Sequence, residues 1–418
     1  MGSLAISGGD PAVAVPYRTF AHPRIDDGDF RRLADPELRD QVVSFDGLGL
    51  VSRVEDTFRD VLGLGGYTMA TNSGTSALYA LYYAAGLGEG DEVLVPAYTF
   101  FATAMPLFRL GCRPVLVDST DNGNIDPADI RRKITPATKA VVITHMWGVP
   151  CDMDEILAVA AEFGLPVLED ASHAHGATYR GTVTGAFGSG AAWSLGAKKI
   201  VTGGQGGILH SPDGEFLERA FLVSRANDKQ HDRGITSAHL QPYAVTGSGL
   251  NLRIHPFSAF AVEGQLRSLP RQLSERRESA AFLARELGRL PGLSVPRVPD
   301  GAEPAWYAFP LQYDPAALGG LPREDFVRAV VAEGAAEADI PGSTCPLTRF
   351  RAFTGEDGTY PGAPVSRITH DEADFPGAHR FHAGIVKLPV WYGEQRLEYA
   401  RAYVDAITKV VENVKDLL

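Results

Sequence analysis

Between about residues 53 and 215 the chain alternates short apolar runs with helical segments, and this alternation restricts the fold more than any other feature. The apolar runs lie at 92–95, 114–117, 140–144, 166–169, 191–195 and 207–210. Most are continuous rather than alternating, the pattern of strands buried on both faces, so helices must cover both sides of a mainly parallel sheet. Helices are expected at 54–61, 76–85, 101–110 and 153–163, the last preceded by Asp152, where a carboxylate can cap free backbone N–H groups. The pattern predicts a doubly wound α/β domain.

The remaining chain follows a different order. A helical stretch at 257–290, charged on one face and broken at Pro270, leads to strands at 306–313 and 384–389 and helices at 323–333 and 394–414. That order predicts a smaller C-terminal α+β unit. Residues 348–376, rich in Gly, Pro and charge, read as a long surface loop bordering a ligand. At 418 residues the chain exceeds what one core usually organises. It therefore divides into an N-terminal arm (1–40), a large domain (41–256), a linking helical stretch (257–290) and a small domain (291–418).

A net charge of −12 without any basic cluster argues against nucleic acid and anionic membranes as partners. No segment approaches the roughly 20 apolar residues that span a bilayer, and the first residues carry no basic-then-apolar leader, so a cytoplasmic location is expected. Cys112, Cys151 and Cys345 are scattered, with no CxxC pair to hold zinc or a redox disulfide, and are expected as buried structural thiols rather than catalysts.

Three segments carry chemistry. Thr71-Asn72-Ser73-Gly74-Thr75-Ser76 opens a helix with small hydroxyl residues, where free N–H groups and the positive helix end can receive a phosphate; alone it fits an ordinary Ser/Thr helix cap equally well. Pro166-Val167-Leu168-Glu169-Asp170 is an apolar strand ending in two acids at the ligand edge of such a sheet. Side chains alternate along a strand, so only one of the two acids can face the ligand. An acid held against a pyridine nitrogen would keep it protonated and make the ring an electron sink; the plainer alternative is an acid capping the next turn. Finally, Lys198 and Lys199 sit within an apolar, glycine-rich stretch, 193–207. A desolvated lysine there has a lowered pKa and is nucleophilic enough to form an imine with an aldehyde. The alternative is a glycine-rich loop with two surface lysines.

Phosphate loop, strand-end acid and lysine loop follow one another on a single sheet, and there the chain resembles the DegT/DnrJ/EryC1/StrS family of sugar aminotransferases. The likeness is most specific in Asn72-Ser73-Gly74-Thr75, in Gly90-Asp91-Glu92-Val93 running into Pro96-Ala97-Tyr98-Thr99-Phe100, in Glu169-Asp170-Ala171-Ser172-His173-Ala174-His175-Gly176, and in the lysine loop. It implies the type I fold of pyridoxal-phosphate (PLP) enzymes. Residue by residue, it implies that Ser73, Gly74, Thr75 and Ser194 hold the phosphate, that Phe100 stacks on the pyridine ring and that Asp170 binds the ring nitrogen. His173 stands where the family commonly has a glutamine near the phenolic oxygen. The family spacing from Ser194 selects Lys199 over Lys198 as the imine-forming lysine. Asn251, in Gly249-Leu250-Asn251-Leu252-Arg253, matches a residue that reaches the phosphate of a neighbouring subunit, which implies a homodimer; read by itself, it is a turn residue.

Two departures bear on the substrate: Gln205 replaces the usual acid of the glycine loop, and Leu195-Gly196-Ala197 is smaller than the stretch often found there. The resemblance implies transfer of an amino group from glutamate or glutamine to a keto-sugar or keto-cyclitol, as in antibiotic or nucleotide-sugar biosynthesis, with Lys199 and Asp170 as catalytic residues. Dehydration or elimination on the same fold ranks lower, because the family's sugar dehydratases have histidine at the lysine position. A non-enzymatic regulator with this fold ranks lowest, since the chain carries no appended DNA-binding or membrane segment.

Overall fold

The computed structural model describes residues 3–13, 27–32, 34–36, 40, 49–225, 234–355 and 368–418. The first strands are β1 (Tyr67–Thr71), β2 (Glu92–Pro96), β3 (Tyr98–Phe100), β4 (Arg113–Val117), β5 (Thr138–Thr144) and β6 (Val167–Asp170). They are followed by β7 (Thr178–Tyr179), β8 (Thr182–Val183), β9 (Gly190–Ser194) and β10 (Gly207–Ser211). One sheet takes the order β1-β10-β9-β6-β5-β2-β4. From β9 to β4 its neighbours pair in parallel, whereas β10 runs antiparallel to both β9 and β1. All six expected strands form, and β1, β3, β7 and β8 are additions. The continuous apolar runs are explained by burial on two sides: Val93, Val95, Val142 and Leu168 enter one apolar cluster, and Leu94, Val141, Ile143 and Val167 enter another. In a parallel sheet the carboxyl ends of the strands gather at one edge, which places Thr144, Asp170 and Ser194 together.

Further strands are β11 (Leu293–Ser294), β12 (Ala302–Glu303), β13 (Phe309–Tyr313), β14 (Thr344–Pro346) and β15 (Ile385–Leu388). β11, β13 and β15 form a small antiparallel sheet. Its core, with Phe309 and Leu311, takes Phe326 from the Arg323–Ala332 helix and Tyr403 and Ile407 from the Arg396–Glu412 helix. Leu4 and Val13 join this core, and the buried Glu333 accepts hydrogen bonds from the N–H groups of Ala5 and Ala12, both at 2.7 Å. β14 leaves this unit to pair with β3, Thr344 opposite Phe100, so that C-terminal residues reach the ligand edge of the large sheet.

Four expectations need correction. The helix expected at 101–110 is a 3-10 turn, Phe101–Thr103, followed by a short helix, Met105–Arg109. Pro106 has no N–H and belongs in a first helical turn, so it starts a new helix rather than extending one. The Asp152 side chain does not cap the Met153–Glu162 helix; burial raises its pKa, and Glu155, Asp121 and Asp300 nearby add to the effect. The long helix runs unbroken from Pro256 to Leu287 through Pro270. An interior proline costs about 3 kcal/mol. Leu266, Leu269 and Leu273 are buried around the exposed Pro270 and contribute about 1.5–3 kcal/mol each, so continuity wins. The fourth concerns the loop expected at 348–376, of which 356–367 lies outside the described residues. Its described part includes the Arg351–Thr354 helix with Phe353 fully buried, so it belongs partly to the core.

Candidate active site

At the carboxyl edge of the sheet lies a cavity of about 380 Å³, within the size range of small-molecule sites. Its floor begins at the Gly74–Ala84 helix. Ser73 caps that helix, with its Oγ accepting from the Ser76 N–H at 3.1 Å. A Cβ on Gly74 would lie 2.6 Å from Ser194 Cβ, so only glycine lets the helix start meet the end of β9. Ser73, Gly74, Thr75 and Ser194 therefore share one wall of the cavity. Together they make the polar cradle at a helix N-terminus that suits a phosphate. Phe100, at the end of β3, forms part of the opposing surface and packs on Phe101, with ring centroids 4.2 Å apart.

Glu169 and Asp170 face opposite ways, as strand geometry requires. Asp170 borders the cavity; its Oδ2 accepts from Thr103 Oγ1 at 2.8 Å and its Oδ1 from the Ser172 N–H at 3.1 Å. Behind it the buried hydroxyls of Thr99 and Thr144 adjoin Thr103 at 2.9 and 3.4 Å. Glu169 lies on the far side, where it accepts N–H groups from Gly185, Phe187 and Gly188 at 2.6 to 2.8 Å. His145 Nε2 stands 3.0 Å from its Oε2. The other ring nitrogen of His145 accepts the Cys151 N–H, so Nε2 is the protonated one and donates to Glu169.

Both lysines border the cavity, in different environments. Lys198 is exposed and Lys199 is half-buried. Burial lowers the Lys199 amine from 10.5 to about 8, against the opposing pull of Asp170. His173 is buried, and burial together with the nearby Lys199 holds its pKa well below the usual 6.5, so its ring is neutral. Its Nδ1 is buried and has no hydrogen-bond partner among the described residues. Asn251 is separate from the other predicted residues: it is exposed, its Oδ1 accepts the Arg253 N–H at 3.3 Å, and it does not line the cavity.

The model of the DegT/DnrJ/EryC1/StrS aminotransferase family matches residues 48–393. The chain belongs to this family. It is a fold-type-I, PLP-dependent aminotransferase. Similar proteins include the spore coat polysaccharide biosynthesis protein SpsC of Bacillus subtilis, 31% identical, with 84% of this chain and 85% of that protein covered. The L-glutamine:scyllo-inosose aminotransferase of Streptomyces griseus is 30% identical, with 83% and 82% covered. The crystal structure of DesI in the presence of its TDP-sugar product superposes with a TM-score of 0.80 at 26% identity, covering 99% of this chain and 97% of that one.

The residues present fit the cofactor that this family implies. The Gly74 cradle would be filled by any Cβ, the His173 Nδ1 lacks a polar partner among the described residues, and a buried acid and a half-buried amine border the same space. Two contributors carried no signal in the sequence. Thr103 supports Asp170 from within what reads as a helix, and Tyr307 enters the cavity from what reads as a buried strand.

Proposed function

We propose that this enzyme transfers an amino group from glutamate or glutamine to a keto-sugar or keto-cyclitol, in antibiotic or nucleotide-sugar biosynthesis. The observation that carries this reading is the meeting, in one cavity, of the Gly74–Ser194 cradle, the Asp170 carboxylate and the depressed Lys199 amine. It is supported by the similar inosose aminotransferase and TDP-sugar protein. Bound here, PLP supplies an aldehyde for capturing amines and a pyridinium that withdraws electrons from the captured carbon.

Ser73, Gly74, Thr75 and Ser194 would hold the phosphate, Phe100 would stack on the ring, Asp170 would keep a proton on the ring nitrogen, and His173 would contact the phenolic oxygen. Lys199 Nζ would hold the cofactor's aldehyde carbon, and as a free amine it would be the group that moves a proton from the donor's α-carbon and to the former keto carbon. With a pKa of about 8 rather than 10.5, the amine is poised for both transfers near neutral pH.

The working unit in this reading is a homodimer, with the exposed Asn251 completing the partner's phosphate site. The chain divides at residues 41, 257 and 291 into arm, large domain, linking stretch and small domain. The location is cytoplasmic and nucleic acid and membranes are not partners; among the described residues no helix is long and apolar enough to cross a membrane. Incubation of the holoenzyme with glutamine or glutamate, followed by a panel of keto-sugars and keto-cyclitols, tests the assignment. The expected result is stoichiometric 2-oxo acid release with a change in cofactor absorbance, and amination of one panel member. Loss of water from the sugar without 2-oxo acid would move the enzyme to the dehydratase reading.

A further inference from the structure

The polypeptide enters the cavity at Tyr307 by an unusual backbone route. Trp147 and Trp306 both adopt left-handed backbone angles, with φ of 57° and 52°, a conformation that bulky residues rarely take. Such strain persists only where the surroundings over-determine it. Here they do. A Cβ on Gly148 would lie 2.7 Å from the His173 carbonyl oxygen and 2.8 Å from the backbone nitrogens of Trp306 and Tyr307, so the two turns pack backbone to backbone. The Ala305 N–H donates to the Gly148 carbonyl at 2.9 Å. The buried Arg276 guanidinium donates to the carbonyls of Trp306, at 3.2 Å, and Val390, at 2.9 Å.

This strained junction presents one ring to the cavity. Tyr307 lies parallel to the His173 imidazole, with centroids 4.0 Å apart and planes 7° from parallel. Trp147 continues the stack at 5.7 Å from His173. Lys199 Nζ lies 4.8 Å from the centre of the Tyr307 ring. We propose that Tyr307 is a positioning residue, an aromatic platform that fixes the plane of His173 and stabilises the ammonium form of Lys199, so that both are set before ligand enters.

The proposal rests on Lys199 being the imine-forming lysine and adds the group that tunes it. An imidazole lying flat against a phenol ring loses that contact if it rotates. An ammonium within about 6 Å of an aromatic centre is stabilised by the ring quadrupole. That stabilisation acts with Asp170 and against burial. Among the other nearby titratable groups of the described residues, His173 and His175 are neutral because burial depresses them, Lys387 is a further cation acting on His173, and the Tyr307 phenol is pushed up to about 12 by burial, with Asp339 and Arg276 acting on it in opposite senses. Lys198 is exposed.

The test uses the apoprotein, so its readout is independent of turnover. Lys199 is acetylated with trace acetic anhydride across a pH series, and its labelling is separated from that of Lys198 by peptide fragmentation. Replacing the ring by Tyr307→Leu should lower the midpoint for Lys199 by about half a unit to one and a half units, because the charged amine loses its platform. Tyr307→Phe, which keeps the ring, should retain the wild-type midpoint. A ring-fluorinated phenylalanine at 307 keeps the shape but weakens the quadrupole and should behave like the leucine variant; it decides the matter if the leucine variant does not fold. A wild-type midpoint in the fluorinated variant, or a leucine-sized shift in Tyr307→Phe, overturns the platform. The parent assignment fails separately: borohydride reduction of the wild-type holoenzyme would then mark a lysine other than Lys199.

Discussion

Glu169 and Asp170 are neighbours at the end of one strand, both buried and both acidic, yet the two faces they serve do different work. On the far face, Glu169 is saturated by three backbone N–H groups and His145, and its oxygens tie the 185–188 turn to the sheet. On the cavity face, Asp170 accepts from Thr103 and Ser172. A carboxylate has about four acceptor sites, so Asp170 retains capacity directed at a ligand and Glu169 has none left. Burial and charge therefore do not by themselves single out the acid proposed as catalytic. What distinguishes Asp170 from Glu169 is unused hydrogen-bonding capacity facing a cavity.

The sharpest test of the cavity face is Lys199→Ala, which should abolish turnover and borohydride labelling while leaving the circular dichroism spectrum unchanged. Persistent labelling in this variant would transfer the role to Lys198. Next in size is the paired substitution of the acids. Asp170→Asn should leave the melting temperature nearly unchanged, because the Thr103 hydroxyl can turn to accept from the new amide, but lower kcat by about 10²–10⁴-fold. Glu169→Gln should do the reverse. Its amide NH2 would confront N–H donors, a loss of about 1–3 kcal/mol of stability, with near-normal activity per folded molecule. Equal kinetic losses at both positions would erase the distinction between the faces.

Thr103→Val should lower kcat by about tenfold, the equivalent of one hydrogen bond of roughly 1–1.5 kcal/mol to the Asp170 carboxylate. An unchanged kcat would show that Ser172 alone suffices to orient it. The smallest effect is expected at Lys198→Ala, which should keep both the cofactor spectrum and the Lys199 label, since the Lys198 side chain is exposed.

The long-range plan of the large domain is legible in the sequence because its cause is local. Strands buried on both faces must be apolar at every position, so 140–144 and 166–169 can be read from residue type alone, and the period-two alternation of a strand by itself puts Glu169 and Asp170 on opposite faces. β1 and β3 are less legible: each lies next to a polar loop or a proline, and β3 is completed by β14 from some 240 residues further on. Pro270 shows the same limit in reverse. Local propensity argues for a break, and burial of leucines on both sides overrides it.

Eight of the nine predicted site residues line one cavity because they belong to motifs at strand ends, which parallel pairing brings to one edge. Asn251 does not line it; it is exposed, away from the cavity. Tyr307 and Thr103 were decided by tertiary structure alone. A tyrosine within an apolar run and a threonine in an apparent helix carry no periodicity or spacing that announces chemistry. Their positions beside His173 and Asp170 arise from two left-handed tryptophans, a proline-started helix and the return of the C-terminal unit to the large sheet. Those contacts join residues far apart in the chain, and only the packed fold sets their distances.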